Sequence, residues 1–242
     1  MKKISLKILL GGLILVFLGI GTVFAITDAK VEKGANLTKI EFIHYKRDFL
    51  KPEVAKNPKQ PTCYKFLTPT KVKWLSLPVT YVINPSNPQQ LNEDFVIKAI
   101  FNSGETWDEA VSKELMNNTY FVDYSATYGV QDYKNSISFG DYPKEGVIAV
   151  TTVWYNSRTK AIVEFDIMFD TDWDWGDATS DLTKMDLANI ATHEFGHGVG
   201  LADVYETSCS AVTMYGYSDY GEIQKRTLEI PDITALLNLY GI

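Results

Sequence analysis

The chain is poor in the residues that most often carry chemistry: its 242 residues hold three histidines and two cysteines. Two cysteines allow at most one bridge. In an exported chain an even count points to pairing, so Cys63 and Cys209 are expected partners. Internal repeats are absent, which leaves out solenoids and arrays. The bulk of the chain also lacks positive charge. From Lys73 to Ile242, 10 Lys+Arg face 25 Asp+Glu. Such an imbalance excludes nucleic acid as a partner, because binding it means neutralising phosphates. It suits bound cations, or simple solubility.

Hydrophobic content of 45% and charged content of 22% are ordinary for a globular protein. The length allows one good-sized domain with appendages. Residues 1–25 read as one appendage. The basic "MKKISLK" runs into an uncharged stretch from Ile8 to Ile26, with small residues at Val23–Ala25 where a signal peptidase would cut. The run is also nearly long enough for a membrane anchor. Either way the remainder is exported, and this segment is the one expected membrane contact. Residues 26–72 form the second appendage, with 10 Lys+Arg against 5 Asp+Glu and prolines at 52, 58, 61 and 69. No helical or strand period lasts long in it, so it reads as a polar stalk or pro-segment, with order expected to begin near Lys73.

From Lys73 onward the pattern is mixed. Leu77–Pro85, Asn135–Gly140 and Gly146–Tyr155 read as strands. In Ala161–Phe169 the residues Val163, Phe165, Ile167 and Phe169 alternate with a partly polar row, the sign of a strand with one face buried. Val96, Ile100, Ser103, Trp107 and Val111 share one helical face. Helices are also expected over 183–198 and Pro231–Gly241, the latter with proline near its start and glycine at its end. The order β-α-β-β-β-α-α implies an α/β domain, one mixed sheet with helices packed on it, spanning 73–242.

The densest chemistry lies in "THEFGHGVGLADV", Thr192–Val204. On a helix His193 and His197 lie on one face, so two imidazoles can grip one metal ion. Glu194 then points beside the metal, placed as a base for a metal-bound water. Gly200 lets the helix stop, and Asp203 can swing back as a third ligand. Three protein ligands leave a position open for water, the mark of a catalytic zinc site. The remaining histidine, His44, falls in the polar segment, so a third imidazole from within the folded domain is not expected. Glu206 is a weaker candidate ligand. A closed, purely structural zinc site in a cell-surface binding protein is the alternative, but it would have no use for Glu194. In another peptidase clan the third ligand is a distant glutamate. Glu222 and Glu229 are available, without the helical context such enzymes show.

"HEFGHGVGLAD" resembles the long zinc motif of metzincins, most closely the matrixin branch with aspartate as third ligand. The flanking segments follow in matrixin order from Lys73 to Ile242. The resemblance implies a metzincin fold with a twisted, five-stranded-like mixed sheet, an active-site helix and a C-terminal helix. It implies a secreted or cell-surface zinc endopeptidase, expected as a monomer, whose partner is a polypeptide substrate. "AVTMYGY" would be the Met-turn, with Met214 as the floor beneath the ligands, and "GVIAV" the edge strand that binds substrate. Asp170, Asp172, Asp174 and Asp177 lie near the position of a matrixin calcium site. Cys63 lies where a latent matrixin caps its zinc, though the surrounding switch motif is missing; the bridge to Cys209 is the favoured reading. Position 216 is glycine, so no catalytic tyrosine is assigned after the methionine.

Overall fold

The computed structural model describes residues 29–33, 36–49 and 62–241. The expected leader, residues 1–25, lies outside them. Among the described residues no helix is long and apolar enough to cross a membrane.

The fold is α/β, as expected. The strands are β1 (Ala29–Lys33), β2 (Leu37–Lys46), β3 (Lys65–Phe66), β4 (Val82–Ile83), β5 (Phe121–Val122), β6 (Ser136–Gly140), β7 (Val147–Asn156), β8 (Ile162–Asp170), β9 (Trp175–Gly176), β10 (Met185–Asp186), β11 (Leu201–Ala202) and β12 (Tyr217–Ser218). The helices are α1 (Glu93–Asp108), α2 (Leu187–Gly198) and α3 (Ile230–Tyr240). The main sheet runs β1-β2-β7-β8-β6-β4-β5, with β12 paired to β2. Its β7-β8-β6-β4-β5 portion is the five-stranded mixed sheet that the resemblance implies. β7 is antiparallel to β8, and the rest of that portion is parallel.

The expectation that order begins near Lys73 is corrected. β2 is a ten-residue strand paired antiparallel along β7 from Leu37↔Asn156 to Tyr45↔Val147. In "TKIEFIH" the residues Thr38, Ile40, Phe42 and His44 alternate onto the buried face, while Lys39 and Glu41 lie between them. β12 pairs with the end of β2 on its other side, Tyr217 opposite Tyr45.

Helices α1 and α2 pack beneath the sheet. Val96, Ile100, Ser103 and Trp107 are buried as expected, and Val111 falls past the end of the helix. Asn92 caps α1 by accepting from Phe95 N, and Asp186 caps α2 by accepting from Asn189 N. The Trp107 indole N–H donates to the Thr192 carbonyl at 2.8 Å and ties the two helices together. Gly200, at φ +112°, turns the chain out of α2 and into β11, a conformation glycine adopts at no steric cost.

The one-sided burial expected for β8 is corrected too. Its polar row is as buried as its apolar one, because the segment 128–136 folds over it. Asp166 accepts from the Gly129 and Ser136 amides, and Glu164 from the Asp132 and Tyr133 amides. Cys63 is bonded to Cys209. The bridge spans a sequence separation of 146 and constrains the unfolded chain by about 5 kcal/mol on loop entropy alone.

Candidate metal centre and catalytic residues

Helix α2 carries the two motif histidines into the interior, both essentially without solvent exposure. Each has its outer nitrogen fixed by a backbone carbonyl: His193 Nδ1 lies 2.7 Å from Thr213 O, and His197 Nδ1 2.9 Å from Leu201 O. A carbonyl only accepts, so both Nδ1 atoms carry the proton and both Nε2 atoms present lone pairs. The turn at Gly200 and strand β11 return Asp203 to face them. Its Oδ1 lies 3.0 Å from His193 Nε2 and 3.5 Å from His197 Nε2. The Tyr205 hydroxyl donates to its Oδ2 at 3.0 Å.

Despite that proximity, His193 Nε2 and Asp203 Oδ1 have no hydrogen-bond partner. Buried polar atoms are nearly always paired. Two such orphans in contact, with ligand atoms from His193, His197 and Asp203 all within 4.8 Å of one another, suit a cation held between them. Two imidazoles and one carboxylate are a donor set that zinc accepts.

Glu194 is fully buried beside this cluster. Its Oε2 accepts from the Thr151 hydroxyl at 2.5 Å, while Oε1 has no partner. Burial pushes its pKa up to about 7. Met214 is buried and packs beneath α2; a Cβ built on Gly196 would sit 2.2 Å from its sulfur.

The absence of a third imidazole is corrected. β2 lays His44 across the site, buried, with its ring edge-on to His193 at 4.1 Å between centroids. Its Nδ1 approaches Glu194 Oε1 to 3.2 Å without forming a hydrogen bond. Its Nε2 lies 3.1 Å from Ser218 Oγ and 3.4 Å from Lys225 Nζ. Two residues earlier on the same face, Phe42 stacks on the His197 ring at 4.2 Å and 11°.

Lys225 is the other residue that sequence reading passed over. It is fully buried, donates to Tyr217 O at 2.8 Å and to Ser218 Oγ at 2.5 Å, and forms no ion pair among the described residues. Burial pulls its pKa down to about 7. No motif marks it, because its position depends on how the segment after Met214 folds back.

Other expected residues divide. Glu206 faces Lys65, Glu222 pairs with Arg47 and Glu229 caps α3, so none joins the cluster. Cys63 is committed to its disulfide and does not cap the site. Asp170 and Asp172 lie together, but Asp141 completes their group; Asp174 pairs instead with Lys184 at 2.7 Å and Asp177 with Arg226 at 2.7 Å. Asp170 is buried, its Oδ2 has no partner, and burial pushes its pKa to about 6.

The family model for matrixins matches residues 73–241, which include α2, Asp203 and Met214. The chain belongs to the matrixin family. This matrixin is 29% identical to the hatching enzyme of Paracentrotus lividus over 184 residues, 75% of the chain and 28% of that enzyme. It is 28% identical to the neutrophil collagenase of Homo sapiens over 179 residues, 73% of the chain and 35% of the collagenase. The interstitial collagenase of Bos taurus is also 28% identical, over 72% of the chain and 34% of its own length. The chain thus spans about a third of the length of the curated relatives it matches.

Proposed function

We propose that this matrixin is an exported zinc-dependent endopeptidase that hydrolyses peptide bonds in proteins. The observation that carries the reading is the pair of unpaired, buried acceptors of His193 and Asp203, grouped with a ligand atom of His197, beside the buried and unpaired Oε1 of Glu194. His193, His197 and Asp203 would hold the zinc, with Met214 as the packed floor beneath them. When bound, zinc polarises the scissile carbonyl and acidifies a water to a pKa of about 7.

The chain's own residues supply the rest. Thr151 anchors one oxygen of Glu194 and leaves Oε1 to take a proton from the attacking water and return it to the leaving amine. The carbonyls of Thr213 and Leu201 keep both imidazoles in the tautomer that leaves Nε2 free to ligate. Tyr205 orients Asp203. Asp141, Asp170 and Asp172 are a candidate calcium site built on a buried, unpaired carboxylate oxygen.

Residues 1–25 act as signal or anchor and 26–72 as a stalk or pro-segment, a reading that puts the enzyme outside the cell or on its outer face. A structural protein with a closed zinc site is the competing reading. Metal analysis combined with a peptide-library digest, with and without chelator, separates the two. Stoichiometric zinc and chelator-sensitive cleavage are expected; zinc-loaded protein that cuts nothing after a cut between residues 50 and 61 has let 29–49 leave would overturn the proposal.

A further inference from the structure

Strand β2 lies where an extended peptide would have to lie to be cut. Without it, β7 is the edge of the five-stranded portion, with a row of free backbone groups available to an added strand. β2 fills that edge antiparallel over nine register pairs, and β12 closes on its other side in parallel. The occupant therefore runs in a slot between β7 and the segment after Met214, directly over the catalytic cluster. Within the slot the ladder shifts register between His44 and Tyr45, next to Glu194.

Side chain 44 leaves this slot into a buried pocket. His193 and Glu194 form its mouth, and Ser218 and Lys225 its end. A lysine at the end of a closed pocket is unusual unless an anion meets it, since a buried charge is costly when unpaired. Here Lys225 has two neutral acceptors and, as its third neighbour, the Nε2 of His44. A histidine nitrogen there offers one lone pair; a carboxylate would offer full charge compensation. Glutamate places its carboxylate oxygens the same number of bonds from Cα as histidine places Nε2, and aspartate falls one bond short.

We propose that strand β2 lies in the substrate groove as an internal stand-in for substrate, and that Lys225 selects the side chain that replaces His44 there, a glutamate or glutamine of the polypeptide substrate. The proposal rests on the endopeptidase reading for its meaning, but its geometry is independent of turnover. It also gives the disulfide a second consequence. Cys63 ties the chain to Cys209 downstream of the hairpin, so a cut between residues 50 and 61 leaves 29–49 held only by non-covalent contacts while the rest stays attached.

Two measurements test it. The first is a double-mutant cycle on the intact, uncut chain, read by melting temperature. His44→Glu is compared with His44→Leu, each with Lys225 and with Lys225→Met. Glutamate should be the more stable of the pair only when Lys225 is present, with a coupling worth about a tenfold change in the folding equilibrium, as expected for a charged hydrogen bond. Equal stability of the two in both backgrounds would overturn the role of Lys225.

The second uses full-length protein with a unique protease site substituted within residues 51–60. Before cutting, casein and a peptide library should be left intact. After cutting, hydrolysis should begin, with glutamate and glutamine enriched at one position beside the scissile bond. Lys225→Met should abolish that enrichment, lowering cleavage beside glutamate and glutamine relative to cleavage beside apolar residues at the same position. Full activity before the cut, or an apolar preference indifferent to Lys225→Met, would overturn the proposal while leaving the endopeptidase reading intact. Absence of any cleavage after the hairpin is shown to leave, together with a positive cycle, would count against the endopeptidase reading instead.

Discussion

Gly196 sits between the two histidines of α2, and its missing side chain is what lets the Met214 floor rise against the helix. A Cβ at this position would meet Met214 Sδ at 2.2 Å and Trp107 Cζ2 at 2.7 Å. The methionine end can swing aside. The indole cannot without loosening its 2.8 Å hydrogen bond to Thr192 O, which joins α1 to α2. Gly196→Ala therefore overpacks the core, at about 1–3 kcal/mol. The gain in helix propensity, about 1 kcal/mol, offsets part of this. The net loss of up to about 2 kcal/mol corresponds to a melting temperature lower by up to roughly 8 °C for a domain of this size. Metal affinity should fall as well, because the displaced floor lies under the ligands. Met214→Ala should cost less in the Gly196→Ala background than alone, by roughly 1 kcal/mol, since the new methyl occupies vacated space. Scanning calorimetry of the four proteins measures both numbers. A Gly196→Ala protein that melts at or above the parent temperature, with additive effects in the double variant, would refute the claim that Met214 is packed through this glycine.

The remaining predictions concern charge. Glu194→Ala should keep zinc and fold yet lose nearly all turnover, whereas His197→Ala should lose the metal; atomic absorption beside a casein assay distinguishes base from ligand. Calcium should raise the melting temperature beyond a matched ionic-strength control, and Asp170→Asn should abolish the difference, because Asp170 brings the buried, unpaired oxygen to that cluster. Asp166 is pushed up to about 7 by burial against its ordinary 3.8. The folded state thus holds its proton more tightly than the unfolded chain does. Its contribution is complete below about pH 4 and is lost as pH rises to about 7, on the order of 4 kcal/mol. Urea unfolding across that range should show stability falling with pH and a shallower slope in Asp166→Asn; an unchanged slope would reject the assignment.

Much of the site was legible because it is local. His193, Glu194 and His197 lie within one helical turn or so, and their relation follows from the helix period. Asp203 needed only one more element, the turn permitted by Gly200. What sequence reading missed depends on contacts across long separations. Tyr205 and Thr151 touch the site through different elements, and Lys225 reaches it from a short helical turn late in the chain. Asp141 replaced Asp174 at the acidic cluster because β6 and β8 are neighbours in the sheet, a pairing that spacing along the chain does not reveal.

The oversight at β2 is instructive in another way. The alternation Thr38, Ile40, Phe42, His44 is a strand pattern, broken in hydrophobicity by its last member and set among lysines and prolines that read as a stalk. A histidine that terminates an apolar row is easily taken as solvent-facing. Here it is buried because what lies beneath is neither core nor water but a polar cluster with unpaired atoms of its own. A strand selected only to complete a sheet would carry another apolar residue over that point, as it does at Phe42. Placing an imidazole there matches the strand to the catalytic chemistry, between a buried carboxylate and a buried ammonium, and this complementarity is why β2 is better explained as an occupant of the groove than as a permanent part of its wall.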